Sequence, residues 1–177
     1  MSATTIKINR APVLTLWAAI VAERLGFDER EALTLGKALA GYTAQTKGQL
    51  LGIYHPREGA EPAEKEGEPE TDVVFVALMG RSLPARLTPD GVRATARSQP
   101  TDPESVRRYL RGKFGEALPA AERAMRRLAE SFPADRLDTE AYGLYERFRP
   151  AVEKGKRGWG AEGTLDLEKV LALRNKP

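Results

Sequence analysis

Arginine side chains carry the chemistry that this sequence offers most plainly. Arg107 and Arg111 stand four residues apart with Arg108 between them, and Arg126 and Arg127 follow in the next predicted helix. Because residues three or four positions apart share one face of a helix, these side chains can line up along a surface. Guanidinium groups bind phosphate oxygens through several hydrogen bonds at once. The spacing therefore predicts contacts to a nucleic-acid backbone.

The same residues have a second interpretation, in which they form an ordinary solvated helix surface. Glutamates are interspersed with the arginines and could neutralise them in ion pairs, namely Glu104, Glu116, Glu122 and Glu130. The two interpretations differ in one observable property of the folded chain. Phosphate binding requires that folding gather the cations on a surface that carboxylates do not neutralise.

Charge is distributed unevenly along the 177 residues, although the formal net charge is only +3. Residues 58–72 contain seven acids and one lysine, whereas residues 81–115 contain eight bases and three acids. A cationic surface is therefore compatible with the modest net charge. The acidic stretch lacks the ligand spacing of a calcium-binding loop, so residues 56–71 are expected to form a flexible, self-repelling loop.

The sequence offers little to an enzyme that uses thiol or histidine chemistry. The lack of cysteine excludes disulfides and thiolate nucleophiles and favours a reducing compartment, and the single histidine, His55, cannot form a multi-histidine metal site. Residues 158–163 match G-x-G-x-x-G, but no predicted strand precedes them, so a tight turn is expected. We therefore expect no catalytic residues, metal or other cofactor, although an enzyme with scattered carboxylates stays open.

A pair of helices is predicted near the N-terminus. Pro12 marks the start of a helix over residues 11–25 that is apolar around most of its surface, which indicates a central, buried position. Gly26 ends this helix, and Asp28 can cap a second helix that ends or bends at Gly41.

The turn between these helices, AERLGFD at residues 22–28, resembles that of helix-turn-helix proteins. In that motif a small residue such as Ala22 lets two helices cross closely, and a glycine such as Gly26 takes the strained turn. The resemblance covers residues 20–39, where the apolar positions of the motif are filled by Ile20, Leu25, Phe27, Ala32 and Leu35. It implies a DNA-binding domain, of the winged-helix kind if the following strands form a sheet.

The second helix would then be the recognition helix, with Arg30 and Lys37 facing DNA and Lys47 further along. Its first turn also carries acids, Asp28, Glu29 and Glu31, which face phosphates unfavourably. The alternative is an ordinary helical hairpin with a glycine turn.

Further elements follow from turn residues and periodicity. Strands are predicted at residues 50–54, 72–79 and 83–87, the last ending at the turn Pro89-Asp90-Gly91, and they form a small antiparallel sheet. Asp102 and Pro103 give a strong helix start. Helices are predicted near residues 103–114, 119–132, 139–149 and 165–173.

Both ends of the chain, INRAPVLTLWA and RGWGAEGTLDL, also resemble segments of an uncharacterised family of bacterial proteins. This resemblance implies that the whole chain is one evolutionary unit, and it gives no indication of a function. The most apolar stretch, residues 13–25, is interrupted by Glu23 and Arg24 and is too short to span a bilayer, so we expect a cytoplasmic protein with no membrane contact.

The combined prediction is a mostly helical α+β protein. Residues 1–98 form the helical pair and a small sheet, and residues 99–177 form a helical region packed on the same core. Its predicted function is non-catalytic binding of double-stranded DNA, with contacts at Arg30, Lys37, Lys47, Arg107, Arg108, Arg111, Arg126 and Arg127. The alternative is a protein-interaction or homo-oligomeric assembly module, in which the first helix and the aromatic side chains Tyr142, Tyr145 and Phe148 bury against a partner.

Overall fold

The computed structural model describes residues 5–50, 73–96, 99–152 and 162–175, with only the backbone described for residues 44–50, 96, 99, 152 and 162. Helices and two small antiparallel sheets make up this part of the chain, which confirms the mostly helical α+β class. Among the residues described, no helix is long and apolar enough to cross a lipid bilayer.

The first helix, α1 (Arg10–Arg24), follows strand β1 (Thr5–Asn9) directly. All residues from Pro12 to Ala22 are buried, because apolar side chains surround this helix and neighbouring elements pack on every side. The indole N–H of Trp17 donates to the carbonyl of Ala141 at 3.0 Å. The prediction of a central, buried helix is confirmed.

The turn after α1 is held by backbone hydrogen bonds. The N–H of Phe27 donates to the carbonyl of Ala22, and the N–H of Gly26 donates to the carbonyl of Glu23, both at 3.1 Å. This pattern is a Schellman motif, which needs a left-handed residue, and Gly26 supplies it with a φ of +115°. The predicted helix end at Gly26 is confirmed, whereas a relationship to helix-turn-helix proteins stays a prediction.

The second helix, α2 (Glu29–Leu50), neither ends at Gly41 nor gives way to a strand at residue 50. A glycine inside a helix costs only about 1 kcal/mol relative to alanine. Leu39, Ala40 and Thr43 are buried around Gly41, so packing holds this part of α2 in place. The predicted end at Gly41 is wrong for this reason, and the rest of the predicted strand, residues 51–54, lies outside the described residues.

The two helices approach most closely at Gly36. A Cβ atom there would lie 2.5 Å from the carbonyl oxygen of Thr15 and 2.9 Å from the backbone nitrogen of Ala19. No side chain fits in that space, so glycine sets the distance between α1 and α2.

The larger sheet contains four strands in the order of the chain, and each pairs antiparallel with the next. They are β2 (Val73–Leu78), β3 (Arg81–Thr88), β4 (Gly91–Ala96) and β5 (Gln99–Pro100). The first two confirm predicted strands, whereas β4 was not predicted. Its sequence, GVRATA, has few large apolar residues, and its position depends on distant partners such as the Thr34 hydroxyl, which accepts from the N–H of Ala94 at 3.0 Å.

The C-terminal half supplies three further long helices. They are α3 (Pro103–Phe114), α4 (Leu118–Glu130), which follows a short 3-10 turn, and α5 (Ala134–Phe148). The prediction for α3 is confirmed at both ends, and that for α4 within two residues. The predicted start of α5 at residue 139 is five residues late, because Pro133 in an extended conformation precedes the helix and Thr139 lies inside it.

A second sheet joins the two ends of the chain and was not predicted. Strand β7 (Glu162–Asp166) pairs with β1 on one side and with β6 (Ala151–Val152) on the other, all antiparallel. Helix α6 (Leu167–Ala172) follows, so the predicted helix at 165–173 begins two residues too early. The two predicted regions, residues 1–98 and 99–177, therefore both contribute strands to this sheet. The predicted acidic loop at 56–71, His55 and residues 158–161 lie outside the described residues.

Two of the three aromatic side chains proposed for an assembly module lie in the core, and the third, Tyr142, is half-buried against it. Tyr145 and Phe148 are 0% and 1% exposed, and Phe148 meets Trp17 edge to face with ring centroids 5.4 Å apart. With α1 buried as well, the chain itself covers most of the surface that the sequence assigned to a partner. That part of the alternative prediction is wrong, because the apolar residues were needed to build this chain's own core.

Candidate nucleic-acid interface

Helix α3 presents the predicted cations because its local sequence fixes both its start and its buried face. The Asp102 carboxylate accepts from the N–H of Glu104 at 3.1 Å, and Pro103 occupies the first turn. Val106, Leu110 and Phe114 are buried at helical spacing. Their burial turns Arg108 and Arg111 to solvent, where both are exposed.

Arg107 lies on the same helix but is held in ion pairs. Its guanidinium contacts the carboxylate of Glu29 on α2 at 3.1 Å and that of Glu104 at 2.7 Å. The sequence placed Arg107 among the phosphate contacts, and the structure instead gives it two carboxylate partners. The reason is the packing of α3 against the start of α2, which sequence spacing does not reveal.

Arg126 on α4 is likewise neutralised. Its two terminal nitrogens contact the two carboxylate oxygens of Glu23 at 3.2 and 3.3 Å, and Glu122 lies 3.7 Å away. Hydrogen bonding to Glu23 is the main reason why the pKa of Arg126 is raised above its ordinary value. Arg126 therefore fastens α4 to α1 and is not free to bind phosphate as the sequence predicted.

Three of the predicted cations meet around one cavity. Arg107, Arg111 and Arg126 line a cavity of about 300 Å³ together with Glu23 and Glu29, among residues of α1, α2, α3 and α4. Apolar side chains form much of its lining, including Leu16, Ile20, Leu33, Leu110 and Leu118. Folding thus brings cations together that are distant in sequence, but it brings carboxylates with them.

Helices α2 and α3 pack together, and both carry exposed cations. The Lys37 ammonium sits 4.4 Å from the ring centroid of Tyr109 on α3, a cation–π contact that leaves Lys37 exposed. Arg30 is exposed one residue after Glu29, the partner of Arg107. We call Arg30, Lys37, Arg108 and Arg111 the cationic surface. Among the described residues, none of these four side chains forms an ion pair.

The two remaining predicted contacts are placed differently. Arg127 is exposed on α4 without an ion pair to any described residue, and no contact links it to the cationic surface. Lys47 lies in the last part of α2, where side chains are outside the described structure.

The start of α2 is occupied by contacts within the chain. Asp28 and Glu31 form a capping box, with the Asp28 carboxylate accepting from the N–H of Glu31 at 2.8 Å and the Glu31 carboxylate accepting from that of Asp28 at 3.0 Å. Glu31 also accepts from the N–H of Val92 on β4 at 2.9 Å. A recognition helix offers its first residues to base edges, and here they are engaged by β4 and Arg107. These contacts leave little of the start of α2 available to a ligand, while Arg30 and Lys37 remain exposed.

Two residues that decide which arginines are free were not identified from the sequence. Glu29 was placed among the acids that would face DNA, and Glu23 was treated as an interruption of the apolar stretch, yet they pair with Arg107 and Arg126. The sequence feature that indicates such ion pairs is the presence of acids on two helices that are predicted to pack together.

In the described part of the chain, no group of three or more metal-binding side chains could hold an ion. Comparison with known proteins finds no matching family model, no matching curated protein and no matching solved structure.

Proposed function

We propose that this protein binds double-stranded DNA without catalysing a reaction, through contacts from the cationic surface to the phosphate backbone. The observation that supports this proposal is a difference between neighbours on α3. Arg107 binds the two nearest carboxylates, Glu29 and Glu104, while Arg108 and Arg111 remain exposed without an ion pair among the described residues. Two acids beside this surface, Glu29 and Glu104, are therefore engaged by Arg107.

Binding then follows from counterion release. Each phosphate that a cation neutralises frees counterions from the DNA, so the affinity falls as salt concentration rises. Contacts to phosphates carry no sequence information, and the occupied start of α2 leaves little for base readout. We therefore expect similar affinity for duplexes of different sequence.

Charge reversal of the two arginines on α3 tests the proposal directly. Binding of a fluorescently labelled random-sequence duplex is measured by anisotropy at low salt, for the wild type and for the double variant Arg108→Glu/Arg111→Glu. The wild type binds, and the variant loses at least about 100-fold in affinity, because two attractive contacts become repulsive.

The matched control is Arg147→Glu/Lys169→Glu, which changes the net charge equally at exposed cations on α5 and α6. This control should bind nearly as well as the wild type. Equal losses in both double variants would show that net charge alone matters and would overturn the assignment of the surface. Absence of wild-type binding at low salt would overturn the function itself.

A further inference from the structure

A second group of arginines lies where α5 ends and α1 begins. The guanidinium of Arg10, the first residue of α1, donates from Nε to the carbonyl of Pro150 at 3.1 Å. Arg149 precedes that proline and follows α5, so the two guanidinium groups belong to one locality although they are distant in sequence. Both residues are partly exposed and can be reached from solvent.

No described carboxylate forms an ion pair with Arg10 or Arg149, in contrast to Arg107 and Arg126. Burial lowers the pKa of Arg10, and the nearby charge of Arg149 lowers it further. Among the described residues, these two mutually repelling cations therefore lack the carboxylate partner that half-buried charges normally have.

Buried hydrogen-bond donors at the same place also lack partners. Nη1 of Arg149 and the hydroxyl of Tyr145 are both buried, and neither has a hydrogen-bond partner among the described residues. Tyr145 is 0% exposed, and the positive charges of Arg10 and Arg149 and the negative charge of Glu146 all act on its hydroxyl. Burial raises the pKa of Tyr145, so this group is a protonated donor over the physiological range. Leaving such donors unsatisfied destabilises the folded chain.

The start of α1 adds partial positive charge. Asn9, at the N-cap, makes no capping hydrogen bond through its side chain, and the first turn contains no acid. The first N–H groups of a helix attract anions, and an acidic or capping side chain usually meets this need. Here neither is present among the described residues.

Strand β7 holds this arrangement in place. At Gly163 a Cβ atom would lie 2.7 Å from the carbonyl oxygen of Ala151 and 3.0 Å from Cβ of Pro150. Glycine therefore lets β7 approach the segment that carries Arg149 and the carbonyl that anchors Arg10.

We propose that Arg10, Arg149 and the Tyr145 hydroxyl form a binding site for a small tetrahedral oxyanion, such as phosphate or sulfate, at the N-terminus of α1. Two guanidinium groups and a hydroxyl supply the donors that such an anion accepts, and its negative charge removes the repulsion between the arginines. The proposal does not depend on DNA binding, since none of these residues belongs to the cationic surface.

The test uses the full chain and inorganic phosphate as the probe, with sulfate in a parallel titration. Calorimetry gives the affinity, and thermal unfolding gives the rise in melting temperature with phosphate concentration, since an anion that binds the folded state stabilises it. We expect Arg10→Gln and Arg149→Gln each to weaken phosphate binding by about tenfold or more. The control Arg147→Gln, an exposed arginine near the end of α5, should bind as the wild type does.

Tyr145→Phe separates binding from a structural role. The variant keeps the ring in the core and removes only the unpartnered hydroxyl, so in phosphate-free buffer it should melt no lower than the wild type. We expect its phosphate affinity to fall by about fivefold. Equal affinity in Tyr145→Phe and the wild type, or equal phosphate dependence in Arg149→Gln and the wild type, would overturn the proposed site.

The source of the oxyanion is distinguished by a DNA arm of the same experiment. If the site takes a free oxyanion, Arg149→Gln loses phosphate binding and keeps the duplex affinity of the wild type. If the site takes a phosphate of the DNA backbone, the variant loses both. Loss of duplex binding in Arg108→Glu/Arg111→Glu with intact phosphate binding would locate the two activities on different surfaces.

Discussion

Around the cavity lined by α1, α2, α3 and α4, Arg107 and Arg126 meet carboxylates, whereas at the start of α1 neither Arg10 nor Arg149 forms an ion pair with a described residue. Arg126 contacts both oxygens of Glu23, and Arg107 bridges Glu29 and Glu104. Arg10 instead bonds a backbone carbonyl, and Nη1 of Arg149 has no partner. The residue type is the same in both places, so the surroundings decide whether an arginine holds the fold together or is free to hold a ligand.

The number of cations in a sequence therefore says little about whether the folded chain binds phosphate. Exposed ion pairs such as that of Arg107 contribute about 0 to 1 kcal/mol to stability, yet they remove the cation from the binding surface. An arginine without a carboxylate keeps its full capacity for phosphate. Variants that add or remove carboxylates therefore test the roles given to both groups of arginines.

The largest effect is expected when the acids around Arg107 are neutralised. In Glu29→Gln/Glu104→Gln the guanidinium of Arg107 is released and joins the cationic surface, so duplex affinity at low salt should rise by about tenfold. Anisotropy measures this rise, with Glu130→Gln/Glu146→Gln as a control of equal charge change at exposed glutamates. Equal gains in both variants would show that the local ion pairs do not matter.

A smaller effect is expected when an acid is added at the other place. Asn9→Asp puts a carboxylate at the N-cap of α1, beside Arg10, and should stabilise the fold by about 1 kcal/mol in phosphate-free buffer. The melting temperature should rise by about 2 to 4 °C, and added phosphate should raise it less than in the wild type. In an Arg10→Gln/Arg149→Gln background the gain should shrink. An equal rise in melting temperature in the Arg10→Gln/Arg149→Gln background would mean that these arginines do not need an anion.

The smallest effect is expected at Glu122. It lies 3.7 Å from Arg126, whereas Glu23 makes two shorter contacts with the same guanidinium. Glu122→Gln should therefore change the free energy of unfolding, measured by chemical denaturation, by less than about 0.5 kcal/mol. A loss well above that would assign Glu122 the role that we give to Glu23.

Local signals in the sequence were sufficient for several elements. Asp102 and Pro103 mark the start of α3, and the spacing of Val106, Leu110 and Phe114 defines its buried face, so both ends of the helix were predicted. Gly26 likewise identified the end of α1. These features depend on residues within one or two turns of each other, which is the range over which sequence patterns carry information.

Features that depend on distant residues were missed. The sheet of β1, β7 and β6 pairs Ile6 with Leu165. Strand β1 carries an alternating strand pattern that was overlooked, whereas β7, with the sequence EGTLD, has none by itself. Arg10 and Pro150 meet although they are 140 positions apart. The candidate surface was predicted only in part for the same reason. The exposure of Arg108 and Arg111 follows from helical periodicity, which the sequence shows. The neutralisation of Arg107 depends on how α2 packs against α3, which the sequence does not show.

The salt dependence of duplex binding tests the central claim most directly, because its slope reports how many phosphates are neutralised. Four contacts from the cationic surface predict that log K falls against log salt with a slope of about −3.6, and Arg108→Gln/Arg111→Gln should reduce that slope by about 1.8. An unchanged slope in the variant would contradict the account, since the DNA would then contact a different surface.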